Sequence, residues 1–116
     1  MSHILVIDDD EAIRATLTIA LEVEGYTVQS AANGELALQA LQSEPLPQMI
    51  FLDLMMPVMD GWQFMKKKAE DSRLKPIPVV IISAFSERAV NLACQDILKK
   101  PVDLPRLFEL AKQNCA

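Results

Sequence analysis

Apolar residues along this chain follow two alternating rhythms. Unbroken runs such as Ile4-Leu5-Val6-Ile7, Met49-Ile50-Phe51-Leu52 and Val79-Val80-Ile81-Ile82 are separated by stretches in which apolar residues recur every three or four positions. Short continuous runs read as strands buried on both faces, and the longer period reads as one face of a helix. Strands are therefore predicted over 3–7, 26–31, 49–52, 79–82 and 97–99, the second resting on weaker alternation around Val28. Helices are predicted over 11–24 (Ile13, Leu17, Ala20, Leu21), from Asn33-Gly34 onward (Leu36, Ala37, Ala40, Leu41) and over 62–71. A short, weakly periodic helix candidate spans 86–94, and a stronger one spans 103–114 with Leu104, Leu107, Phe108, Leu110 and Ala111 on its apolar face. Gly25 suits a helix C-terminus, Pro45 and Pro47 end the second helix, Asp103 can cap the last, and Pro105 fits its first turn.

Strand and helix alternate in five units, with connections too long for hairpins and suited to right-handed crossovers, so a parallel sheet covered by helices follows. In such sheets the strand C-termini share one edge, where ligands bind. Charged groups stand at those ends: Asp8-Asp9 after the first strand, Asp53 after the third, Lys99-Lys100 after the last. If these strands are neighbours, three carboxylates and one ammonium converge on one shallow site.

Composition narrows the reading. With 116 residues, 51% apolar and 23% charged, residues 1–116 are expected to form a single compact domain. A formal charge of -5 gives no electrostatic reason to approach nucleic acid or an anionic membrane. Cys94 and Cys115 form neither a disulfide framework nor a metal knuckle, no stretch approaches a membrane span, and the expected location is cytoplasmic. His3, at a strand start, is assigned no role.

Adjacent ionised carboxylates at Asp8 and Asp9 repel, and a hard divalent ion such as Mg2+ relieves this while holding phosphate oxygens. The alternative is that residues 8–11 simply open a helix, where acidic side chains meet the N-terminal dipole. Asp53 is poorly explained by capping, because it ends an apolar strand in mid-sheet; it is the candidate nucleophile, a carboxylate able to form an acyl phosphate. Lys100 supplies a point charge for a phosphate oxygen, with Lys99 expected in solvent. Ser83 could donate a hydroxyl to a phosphoryl oxygen or merely cap, and the Lys100-Pro101 bond could be cis or trans. The run Lys66-Lys67-Lys68 reads as a solvated helix face, with partner docking as the alternative.

Taken together, Asp8-Asp9, Asp53-Leu54-Met55-Met56-Pro57 with Asp60-Gly61, Ser83-Ala84 and Lys100-Pro101 closely resemble the receiver domain of two-component response regulators, over nearly the whole chain. The resemblance implies a flavodoxin-like, doubly wound sheet of five parallel strands in the order 2-1-3-4-5, with helices on both faces and a fourth helix that is short or irregular here. It also implies that Asp53 accepts a phosphoryl group from a phosphohistidine of a sensor kinase or phosphotransfer protein. Asp9, Asp53 and the Met55 backbone carbonyl would ligate Mg2+, Asp8 would act through a bound water, Ser83 would move toward the phosphoryl group and Lys100 would pair with it. Such a protein signals to a downstream target through a changed surface, as a monomer or a weak phosphorylation-dependent dimer, and is not an enzyme beyond assisting its own phosphorylation and dephosphorylation.

Two departures stand out. The family places Tyr or Phe three residues before the lysine, where this chain has Ile97, so a ring-swing switch is not expected. The stretch between Ser83 and Lys100 is also several residues short and lacks a Gly-Ala before the last strand. The rival readings are a pseudo-receiver that signals without phosphorylation, an aspartate-nucleophile phosphatase, and a flavodoxin-like cofactor carrier. Met55 stands where the phosphatases carry a second acid, and the loop after the first strand lacks residues to cradle a flavin phosphate.

Overall fold

The computed structural model describes residues 2–84 and 92–115. Strands β1 (His3–Ile7), β2 (Thr27–Ala31), β3 (Met49–Asp53), β4 (Val79–Ser83) and β5 (Asp96–Lys99) form one parallel sheet in the order β2-β1-β3-β4-β5. Helices α1 (Glu11–Val23), α2 (Gly34–Ala40), α3 (Gly61–Glu70) and α4 (Leu104–Asn114) complete the described elements. The strand order implied by the resemblance is the one observed.

Side-chain alternation sorts the central strands into two cores. Leu5, Ile7, Ile50, Leu52, Val79 and Ile81 point to one face, where Ala37, Leu41 and Phe64 of the α2 and α3 region cover them. Ile4, Val6, Met49, Phe51, Val80 and Ile82 point to the other, against Leu17 and Leu21 of α1 and Leu107 and Leu110 of α4. Burial on both faces is why these strands read as unbroken apolar runs.

Local chemistry sets the helix ends. Gly25 has φ +97° just beyond α1, and the hydrogen bonds from its N–H to the Glu22 carbonyl (3.0 Å) and from Tyr26 N–H to the Leu21 carbonyl (3.1 Å) close a Schellman turn. Asn33 caps α2 through Leu36 N–H (2.9 Å), and Asp60 with Gln63 forms a reciprocal capping box on α3. That Asp-x-x-Gln spacing starts α3 at Gly61, one residue earlier than predicted. Asp103 sits at the N-cap of α4, but its side chain makes no capping hydrogen bond, contrary to expectation; Pro105 in the first turn, with no N–H to satisfy, already reduces the need for one. Of the helix expected over 86–94, residues 86–91 lie outside the described residues, and Leu92, Ala93 and Cys94 are not helical.

The lysine run departs further from its reading. Lys66 and Lys67 are exposed, whereas Lys68 is buried, its Nζ donating to the Lys75 carbonyl at 2.9 Å. The helical turn places position 68 on the inner side with Phe64, four residues earlier, and the aliphatic stem tolerates this.

Candidate functional site: an acidic cluster at the strand C-termini

Register brings the charged residues together. Ile7 pairs with Leu52, Asp53 with Ile82 and Ser83 with Lys99, so Asp8, Asp53, Ser83 and Lys100 stand along one edge of the sheet.

Asp8 is fully buried. Its N–H donates to the Ala31 carbonyl at 3.1 Å, its Oδ1 accepts from Asp10 N–H at 2.9 Å, and its own carbonyl accepts from Arg14 Nη1 at 2.9 Å. Its Oδ2 lies 3.1 Å from Lys100 Nζ, an ion-pair contact without the geometry of a hydrogen bond, and is otherwise an orphaned buried oxygen. Asp10 takes the bland role weighed for the acidic run, capping α1 through Ile13 N–H at 3.1 Å. The run is thus divided: Asp10 starts the helix while Asp8 turns into the site.

Asp53 is buried at the end of β3, with Oδ1 3.4 Å from Lys100 Nζ. Burial first, and then the Asp8 charge, push its carboxyl up to about 6; the protonated form's side-chain hydrogen bond to Asp9 adds to this, and Lys100 pulls the other way. Burial works against the Lys100 ammonium, yet its contacts with Asp8 and Asp53 outweigh that and raise its pKa, so it stays charged. Gly61 permits the tight return of the chain past this carboxylate: a Cβ there would lie 2.7 Å from the Asp53 carbonyl oxygen and from Leu54 Cα. Ser83 is buried at the end of β4, and its carbonyl accepts from Lys100 N–H at 3.0 Å. Met55 lies in the loop after β3 with its side chain exposed, and the Lys100–Pro101 peptide is cis.

Carboxylate oxygens of Asp8, Asp9 and Asp53 all lie within 4.8 Å of one another, Asp9 being the exposed member. Three hard oxygen donors, with an Asp8 oxygen buried and without a hydrogen bond, suit a hard divalent cation.

A family model describing the response regulator receiver domain matches residues 4–112. The chain belongs to the response regulator receiver family. This receiver is 39% identical over 114 residues to a rice protein, two-component response regulator ORR11 of Oryza sativa subsp. indica, covering 91% of this chain and 78% of the relative. Among solved structures, Vibrio cholerae chemotaxis protein CheY4 superposes with a TM-score of 0.87 at 27% identity, covering 98% of each chain. Thermotoga maritima response regulator TrrA, solved in complex with Mg2+-BeF, gives 0.86 at 29% identity and covers 97% of this chain and 98% of its own. As a receiver of two-component response regulators, the chain is a signalling domain, and none of its described helices is long and apolar enough to cross a membrane.

Sequence reasoning missed Arg14. It is the only basic residue in α1, and it stands six positions after Asp8, far enough along the first turns for its guanidinium to reach back over the β1 end. That lone cation behind an acidic run was the available signal.

Proposed function

We propose that Asp53 is the phosphoacceptor of one receiver domain formed by residues 1–116, loaded from a phosphohistidine of a sensor kinase or histidine phosphotransfer protein. The observation that carries this is the buried Asp53 carboxylate, held 3.4 Å from Lys100 Nζ and clustered with Asp8 and Asp9. An Asp53 carboxylate oxygen attacks phosphorus, the P–N bond breaks, and its electron pair stays on the departing imidazole nitrogen, which takes up a proton. The product is an acyl phosphate, and the protein's work is positioning and charge neutralisation.

Asp9, Asp53 and the Met55 carbonyl would hold Mg2+, with Asp8 acting through a bound water. When bound, the ion supplies positive charge to the phosphoryl oxygens. Lys100 would supply a second positive charge, and the Ser83 hydroxyl would donate to a phosphoryl oxygen. Asp8 keeps Lys100 in place before the phosphoryl group arrives. With an Asp53 pKa near 6, the carboxylate is largely ionised at neutral pH, as a nucleophile must be. The same groups would assist loss of the phosphoryl group to water. The phosphorylated form acts in the cytoplasm on a downstream protein target, as a monomer or a weak dimer.

The test is intact mass after incubation with acetyl phosphate and Mg2+, beside Asp53→Asn and an EDTA control. A metal-dependent phosphoryl adduct lost in the variant is expected; an unmodified wild-type chain would favour the pseudo-receiver reading.

A further inference from the structure

Five of the chain's eleven Lys and Arg residues, Lys66, Lys67, Lys68, Arg73 and Lys75, fall within ten positions of an otherwise acidic sequence. Arg73 is occupied with the Leu41 carbonyl (2.6 Å) and Glu44 (3.5 Å). Among the described residues, Lys66, Lys67, Lys68 and Lys75 enter no ion pair.

These lysines line a cleft. A cavity of about 470 Å³ has Trp62, Met65 and Leu92 among its walls with Lys66, Lys68 and Lys75 around it. A second, of about 430 Å³, continues from it past Ile77 and Pro78 and shares Lys68, Lys75 and Ala93. The two together form an elongated groove, apolar at one end and rimmed by unneutralised cations. Lys68 is the unusual member: only 6% exposed, it gives one hydrogen bond to a neutral carbonyl, and burial pushes its pKa down. A partner carboxylate would supply the counter-charge this ammonium lacks, in surroundings where a charge-assisted hydrogen bond is worth more than in water.

We propose that this groove docks an acidic peptide segment of a partner protein, anchored by an apolar side chain beside Trp62 and held by carboxylates on Lys66, Lys68 and Lys75. Protein-binding patches combine an apolar anchor site with polar groups around it, as the two ends of this groove do. The elongated form and the charge complementarity favour an extended peptide over a compact anion. None of the residues lining the groove belongs to the acidic cluster: one end adjoins Val79, at the end of β4 away from Ser83, and the other reaches Trp62, next to Gly61. It therefore goes beyond the phosphoacceptor reading and does not depend on it.

The experiment selects peptides from a random phage-displayed library on the full chain, then measures their affinity for wild type and for Lys66→Glu/Lys75→Glu. Both substituted residues are exposed, so the thermal midpoint serves as the control for folding. The expected result is enrichment of peptides that interleave acidic with aromatic or aliphatic residues, amide shifts at Met65, Ala69 and Ala93, affinity that falls with salt, and a loss of roughly tenfold or more in the variant. Enrichment without acidic residues, or affinity unchanged in a folded variant, would overturn the proposal. So would inorganic pyrophosphate displacing the peptides at comparable concentration, which would mark a small-anion site instead.

Discussion

Arg14 reaches back from α1 to donate a 2.9 Å hydrogen bond to the main-chain carbonyl of Asp8, fixing the peptide that joins the two acidic residues of the β1 end. Without it that carbonyl, beside a buried side chain, has no partner among the described contacts. Arg14→Ala is expected to cost about 1 kcal/mol of stability. It should also slow acetyl phosphate labelling of Asp53 more than Arg14→Lys does, because the lysine can still reach a carbonyl. Urea unfolding and timed intact-mass measurements check the two effects separately; equal labelling of wild type and Arg14→Ala would leave Arg14 a purely structural residue.

The metal-free acidic site should make stability depend on pH. Asp53 titrates near 6 in the folded protein against 3.8 as its ordinary value. Between those values the native state keeps a proton that the unfolded state has released, so stability falls as pH rises through the window, and the deficit is complete above it. Asp53→Asn removes the ionising group. Its advantage over wild type should therefore widen between about pH 4 and pH 7, reaching roughly 1 to 3 kcal/mol in EDTA. An advantage of the same size at both ends would show that Asp53 is destabilising for a reason other than its charge.

Mg2+ should relieve that deficit. A ligand that binds only the folded state raises the melting temperature by an amount that grows with the logarithm of its concentration above the dissociation constant, and EDTA should reverse the gain. Asp9→Asn changes an exposed side chain, so its metal-free stability should stay within about 0.5 kcal/mol of wild type while most of the Mg2+ response disappears. Calorimetry with and without the ion reads both quantities. A full Mg2+ response in the variant would remove Asp9 from the ligand set.

Gly61→Ala tests the close return of the chain beneath Asp53. The added carbon would meet main-chain atoms of residues 53 and 54 at 2.7 Å, and backbone cannot swing aside as a side-chain end can. A loss of about 1 to 3 kcal/mol is expected, together with reduced labelling of Asp53, as its strand end shifts. Wild-type stability would mean that α3 moves outward at little cost.

Val58 offers a gain in the opposite direction. It is an exposed β-branched residue at φ 69°, in a turn closed by the 2.8 Å bond from Met59 N–H to the Pro57 carbonyl. Asn adopts such angles more easily. Val58→Asn should add roughly 0.5 to 1 kcal/mol, read by urea unfolding.

Much of this was legible before the structure, because the central strands are buried on both faces and their apolar runs stop where the sheet stops. Asp8, Asp53 and Lys100 stand out as charges at the ends of those runs. The order of the strands was not carried by periodicity; it came with the resemblance to receivers, since any parallel sheet would show the same runs. Residues that act through the main chain or against the usual rule for their type were harder to see. Arg14 binds a carbonyl, which leaves no side-chain pattern. Lys68 is buried because of its position on α3, although its residue type and its two exposed neighbours suggest solvent. Asp103 has the composition of a cap without its hydrogen bond. Ile97, where the family carries an aromatic residue, is half-buried against the core on the α2 and α3 face, so it occupies a packing position with no ring to swing.

The contacts of Lys100 have a mechanical meaning. One ammonium is shared between two carboxylates on the interior strands β1 and β3, yet it hangs from β5, which has a neighbour on one side only. An additional anion on Asp53 would enter a three-way competition for that single cation. Any tug that follows falls on a border strand, which one neighbour alone holds in the sheet, and on the α4 segment just downstream.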